Sequence, residues 1–113
     1  MSLPREQKWV NSAAAGTSFT TSIQVLADYC GSVHCVCSGL DAADGWFRVK
    51  GDNSNDASNA ENLTTDASTM TTASTGVLFN IDQIGYRYLV LEWDAESNTK
   101  GAINVYLTRK QRS

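Results

Sequence analysis

Apolar residues recur at every second position in several stretches of this chain. "TSFTTSIQV" carries Phe19, Ile23 and Val25 on one phase, with Ser18, Ser22 and Gln24 between them. "VHCVCSG" sets Val33, Cys35 and Cys37 against His34 and Val36. "WFRVKG" sets Phe47 and Val49 against Trp46, Arg48 and Lys50. Near the C-terminus Leu89, Leu91 and Trp93 alternate with Tyr88, Val90 and Glu92, and Ile103, Val105 and Leu107 with Asn104, Tyr106 and Thr108. Successive side chains of a strand point to opposite faces, so this period of two predicts β-strands with one face in a core.

The last two strands flank the polar "DAESNTKG" and read as a hairpin with a longer loop. Tyr86, Tyr88 and Val90 make the other face of the first of them partly apolar, which predicts a partly covered face. "LDAADG" is a Gly-ended turn, and "GVLFNI" (Gly76 to Ile81) resumes strand character. Residues 1–16 read as an N-terminal arm in which "KWV" forms a short strand, Trp9 anchors to the core and "AAAG" bends. From Asp52 to Thr75 only Leu63 and Met70 are large and apolar. A structureless loop of that length is unusual in a compact domain, so a strand or two is expected near those residues. Short strands, regular turn signals and no credible helix predict an all-β fold. It is an antiparallel, jelly-roll-like β-sandwich occupying residues 17–113 as a single domain.

Composition narrows the reading. A chain of 113 residues fits one domain with one modest core. Twelve acidic residues outnumber nine basic ones, and no basic stripe is present to follow a phosphate backbone, so nucleic acid is not an expected partner. No apolar run approaches the roughly 20 residues that span a bilayer, and no membrane association is expected. "MSLPREQKWVNSAAAGTS" lacks an apolar block of about 7–15 residues, so the expectation is a chain made and folded in the cytoplasm.

Candidate chemistry is sparse. Cys30, His34, Cys35 and Cys37 are zinc-ligand types, but alternation turns His34 away from Cys35 and Cys37, and no second Cys pair exists. Small buried core residues are the expected role of the cysteines. The same alternation separates His34 from a cysteine nucleophile, and no G-x-S-x-G elbow is present. Asp52, Ser54 and Asp56 echo the start of a calcium loop, yet Ala57 stands where the turn glycine belongs and Leu63 where the bidentate glutamate belongs. A turn satisfied by its own side chains explains the stretch. No catalytic residue, metal or cofactor is therefore expected. Trp46 is out of phase with Phe47 and Val49, which makes it a candidate interface anchor.

Three segments together carry a resemblance: "TSIQVLADYCGSVHCVCSG", "DGWFRVKGDNSND" and "GYRYLVLEW…GAINVYLTRK". Their order resembles small virion proteins of tailed bacteriophages, in particular capsid decoration, or staple, proteins of jelly-roll type. The match spans Thr21 to Lys110 and departs from the pattern at Val90, where arginine is usual, and at Ala57, where glycine is usual. The resemblance implies a non-enzymatic protein on the outer capsid surface of a virion, made in the host bacterial cytoplasm. It implies the phage major capsid protein as partner and a homodimer or other homo-oligomer as the working state. The residues expected to dock are Trp9 and Val10 of the arm, Trp46 and Arg48, and Tyr86 and Tyr88. The alternative is a carbohydrate-binding β-sandwich module of a phage fibre, spike or tail.

Overall fold

The structure, a computed structural model, describes residues 5–25, 29–54, 57–63, 67–84 and 87–111. Its strands are β1 (Arg5–Ala14), β2 (Phe19–Gln24), β3 (Tyr29–Ser38), β4 (Gly45–Asp52), β5 (Glu61–Asn62), β6 (Ser68–Met70), β7 (Gly76–Ile84), β8 (Tyr88–Asp94) and β9 (Ala102–Gln111). Among the described residues the one helical element is a 3-10 turn at Ala57–Asn59. One sheet has the order β1-β9-β3-β7 and the other β2-β8-β4-β5, with β6 also on β4. Every pairing is antiparallel. The chain is an all-β, single-domain sandwich.

The period-two phases identify the core. Val33 and Cys35 of β3, Phe47 and Val49 of β4, Leu89 and Leu91 of β8, and Ile103, Val105 and Leu107 of β9 are completely buried. Phe47 and Trp93 meet at 4.5 Å between ring centroids, tilted by 40°. The Trp93 indole donates to the Ala15 carbonyl at 3.0 Å, so this large aromatic buries no unpaired N–H. Fully burying side chains of this kind contributes roughly 1.5–3 kcal/mol each.

The hairpin expectation is corrected. β8 lies between β2 and β4, whereas β9 lies between β1 and β3 in the opposite sheet. Alternation reports which face of a strand is buried; it does not report which strand lies alongside. The apolar rows of β8 and β9 belong to one core but to different layers, and residues 95–101 cross between the sheets.

Two other segments also gain detail. Of the arm, Arg5–Ala14 forms β1 and pairs with β9 from Arg5↔Arg109 to Ala14↔Ala102. The sheet therefore takes in ten of the residues read as an arm, and the bend comes at Ala15 and Gly16. Within the polar region, β5 ends one residue before Leu63 and β6 ends on Met70. Met70 is buried and Leu63 exposed.

Three connections cross between the sheets and are tied together: 15–18, 39–44 and 95–101. Asn98 is buried; its amide oxygen accepts from the Ala42 N–H at 3.0 Å, and its amide nitrogen donates to the Ala95 carbonyl at 3.0 Å. Asp41 accepts from the backbone N–H of Thr99 at 2.8 Å and from the Thr99 hydroxyl. Asp44 accepts from the Ser97 N–H at 3.1 Å. Ala15 donates to the Gly101 carbonyl at 3.0 Å. The backbones are close enough that a Cβ on Gly16 would lie 2.5 Å from the Thr99 carbonyl oxygen. Gly101, at φ 119, occupies a region that other residues rarely adopt.

Candidate functional site

The residues expected to dock fall into two places. Trp9 and Val10 lie on β1, half-buried and packed against the core. The Trp9 indole N–H is buried with no hydrogen-bond partner among the described residues. Trp46, Arg48 and Tyr88 project from the outer face of the other sheet, all half-buried. Tyr86 lies outside the described residues. The structure thus groups Trp46, Arg48 and Tyr88 on one sheet face and separates them from Trp9 and Val10.

That outer face is built from the outward phases of β4 and β8. Register sets Trp46 opposite Asp94, Arg48 opposite Glu92, Lys50 opposite Val90 and Asp52 opposite Tyr88. Lys50 pairs diagonally with Glu92 at 3.4 Å. Val90 is fully buried on this face, with Ser22 and Lys50 as its cross-strand neighbours, so the face is covered at that point as its sequence predicts. The Arg48 guanidinium lies 5.4 Å from the Trp46 ring centroid. Its Nε is buried without a partner, and the guanidinium has no hydrogen bond or ion pair among the described residues. The Trp46 indole donates to Glu96 Oε1 at 3.1 Å. Glu96 sits at φ 47, an uncommon conformation for a side-chain-bearing residue, and this places its carboxylate beside Trp46.

On the opposite sheet a single register row runs Lys8, Tyr106, His34, Leu78 across all four strands. His34 and Tyr106 have ring centroids 6.3 Å apart, and the Lys8 ammonium lies 5.6 Å from the Tyr106 ring. His34 is exposed, while Cys35 and Cys37 are inside the core, so the imidazole and these thiols occupy opposite faces. Burial pushes the Cys35 thiol up to about 12, with Cys37 beside it adding to the shift, and burial also raises Cys37. Both stay protonated at neutral pH and behave as core packing. The Cys30 side chain lies outside the described residues.

The calcium-like stretch satisfies itself. Asp52 Oδ1 accepts from the Ser54 N–H at 2.8 Å and from its hydroxyl at 2.7 Å, a turn closed by its own side chain. Asp56 lies outside the described residues. An open cleft of about 560 Å³ runs beside this turn, lined by Asp52, Asn53, Ser54, Asn59, Glu61 and Leu63 among others.

The four sheet edges differ. β1 is interrupted by register shifts at Lys8/Val10 and Val10/Ala13, and Ser12 there has φ 55. β2 exposes Thr20, Ser22 and Gln24. β5 and β6 have two and three residues. β7 is a nine-residue edge whose Leu78 is 55% exposed, more than any other large apolar side chain described. Sequence reasoning passed over Leu78. The signal was present, because "VLF" in "GVLFNI" puts apolar residues on both phases of one strand.

No protein-family model matches this chain, and no curated protein matches its sequence.

Proposed function

We propose that this chain is a non-enzymatic virion structural protein, a jelly-roll capsid decoration protein of a tailed bacteriophage. It sits on the outer surface of the head as a homo-oligomer and stabilises contacts between major capsid subunits. The observation that carries this reading is the Trp46–Arg48 pair, a half-buried aromatic beneath a guanidinium with no carboxylate partner among the described residues. Tryptophan and arginine are the residue types that dominate binding energy at protein interfaces. A guanidinium suits a carboxylate or backbone carbonyl on a partner surface.

The strand order supports the jelly-roll part of the reading. The chain passes from sheet to sheet at β1→β2, β2→β3, β3→β4, β6→β7, β7→β8 and β8→β9, which supports a double Greek key. The segments that resemble phage virion proteins include β3, β4 and most of β2, β8 and β9, the framework of both sheets. Function would then be mechanical. Many copies, each burying a moderate surface on a symmetric lattice, add up without a single strong contact.

The test is rebinding. Purified protein is mixed with heads stripped of it, and pelleting and heat resistance of the heads are measured. The expected result is saturable rebinding and greater heat resistance, both weakened by Arg48→Ala. No rebinding in any buffer overturns the reading. The carbohydrate alternative needs an open ring face for a sugar to stack on. Arg48 and Glu96 already occupy parts of Trp46, which favours a protein partner. Glycan-array binding that vanished on Trp46→Ala would reverse that preference.

A further inference from the structure

The free edge of β7 is chemically ready to pair. Its only strand partner among the described residues is β3, in the register Val36↔Gly76 through Gly31↔Ile81. Just before the strand, the Cys37 N–H donates to the Thr75 carbonyl at 3.0 Å. Hydrogen-bonded residues alternate along an antiparallel ladder. Val77 and Phe79 therefore turn their backbone groups toward β3. Gly76, Leu78 and Asn80 turn theirs outward, to the side where no described strand lies.

Folded proteins blunt such edges with charge, proline, bulges or brevity. The other edges carry these devices or are polar: bulges and Lys8 on β1, hydroxyl and amide side chains on β2, short length in β5 and β6. Residues 76–81 of β7 carry no charge, no proline and no register shift against β3. They are also incompletely covered. Val77 and Phe79 are half-buried, while their register partners Cys35 and Val33 on β3 are fully buried. Leu78, on the outer face, is 55% exposed.

We propose that β7 is the pairing site for a second copy of this chain. Two β7 edges meet antiparallel about a two-fold axis at Leu78 and join two four-stranded sheets into one of eight. In this register Leu78 faces its own copy, Val77 faces Phe79, and Gly76 faces Asn80. Asp82 takes the position opposite Ser74 and does not meet a second Asp82. The outward groups of one strand thus meet the same groups of the other, and no like charges oppose each other. Self-pairing fits this edge better than a bulged or charged strand would. The proposal deepens the oligomeric state in the proposed function and rests on that reading for its purpose, but its test needs no capsid.

The contact is small. Interfaces below about 1,200 Å² are usually weak, so a dissociation constant on the order of micromolar is expected. Sedimentation velocity on the full chain from about 1 to 500 µM, a range spanning that value, reads it directly. The wild-type protein shifts from monomer to dimer across the range. Leu78→Lys places a charge against its own copy, and Asn80→Pro removes an N–H that β3 never uses. Each weakens dimerisation at least about 10-fold, with the β circular-dichroism signal unchanged. Should the proline variant fail to fold, the lysine variant carries the test alone.

A wild-type protein still monomeric at the highest concentration overturns the proposal, as does a dimer that survives Leu78→Lys. The two readings fail separately. Head rebinding by a monomeric Leu78→Lys protein leaves the capsid role standing. An intact dimer that ignores stripped heads removes the capsid role and leaves the pairing site.

Discussion

The end of the sandwich where three loops cross and the flank formed by β7 handle polar groups in opposite ways. At the crossing end, exposed Asp41 and Asp44 and buried Asn98 reach onto neighbouring loops and bond their backbone N–H groups. Along β7, the backbone of Gly76, Leu78 and Asn80 faces away from the sheet, and Leu78 lies exposed beside it. Among the described residues, the first region pairs its polar groups within the chain, and the second leaves donors, acceptors and apolar surface unmatched. On the proposed pairing, the first region serves stability and the second association, and substitutions should separate the two.

The largest effect on folding is expected at Asn98. Its side chain accepts from Ala42 and donates to Ala95, and it is almost fully buried. Asn98→Ala removes the acceptor of the part-buried Ala42 N–H. A buried donor left unmatched costs about 1–3 kcal/mol, and loss of the second bond adds to it, so a loss of about 2–3 kcal/mol is expected. Urea unfolding measures it. A loss below about 0.5 kcal/mol, the range of ordinary surface changes, would mean that the crossing loops are not what holds this end.

How far the chain's own letters disclose these regions follows from what each region requires. Strand phase was readable because Val33, Cys35, Leu89, Leu91, Val105 and Leu107 must all be apolar to share a core. Strand pairing was not, because the same alternation suits a hairpin or two strands in opposite sheets, and β8 and β9 took the second arrangement. The crossing end was hidden because "LDAADG" and "DAESNTKG" look like ordinary turns. Nothing local shows that Asp41 bonds Thr99 or that Asn98 bonds Ala42, contacts 58 and 56 residues apart. The β7 flank was half visible in the out-of-phase Leu78. Its meaning depends on β7 being an edge, which only the strand order supplies.

Acid should act next most strongly, and at the crossing end. The Thr99 hydroxyl and N–H hold the Asp41 carboxyl below its ordinary value of 3.8, and Ser97 does the same for Asp44. A carboxyl whose folded value is lowered stabilises the fold above its unfolded value. That contribution fades as pH falls below about 3.8 through the lower folded value. Melting temperature should therefore be insensitive to these two groups near neutral pH and fall in the acid range. The double variant Asp41→Asn, Asp44→Asn should lose less between pH 5 and pH 2.5 than the wild type, measured by circular-dichroism melts on an approximate pH scale. Parallel acid curves would show that these bonds contribute nothing specific.

The smallest effect on folding, and the sharpest separation of the two regions, is expected from Leu78→Ala. Leu78 sits on an outer face with more than half its surface in water, so truncation leaves no cavity. In the dilute monomer the change should stay within about 0.5 kcal/mol, like other surface substitutions. At high concentration the outcome should differ, because a partner that binds only the folded state adds stability by mass action. Wild-type melting temperature should then rise with concentration, and the variant's should rise less. A concentration-independent gap of 1 kcal/mol or more, roughly the cost of a buried contact, would mean that Leu78 already packs within the single chain. The flank would then be as self-contained as the crossing end, and the contrast between them would disappear.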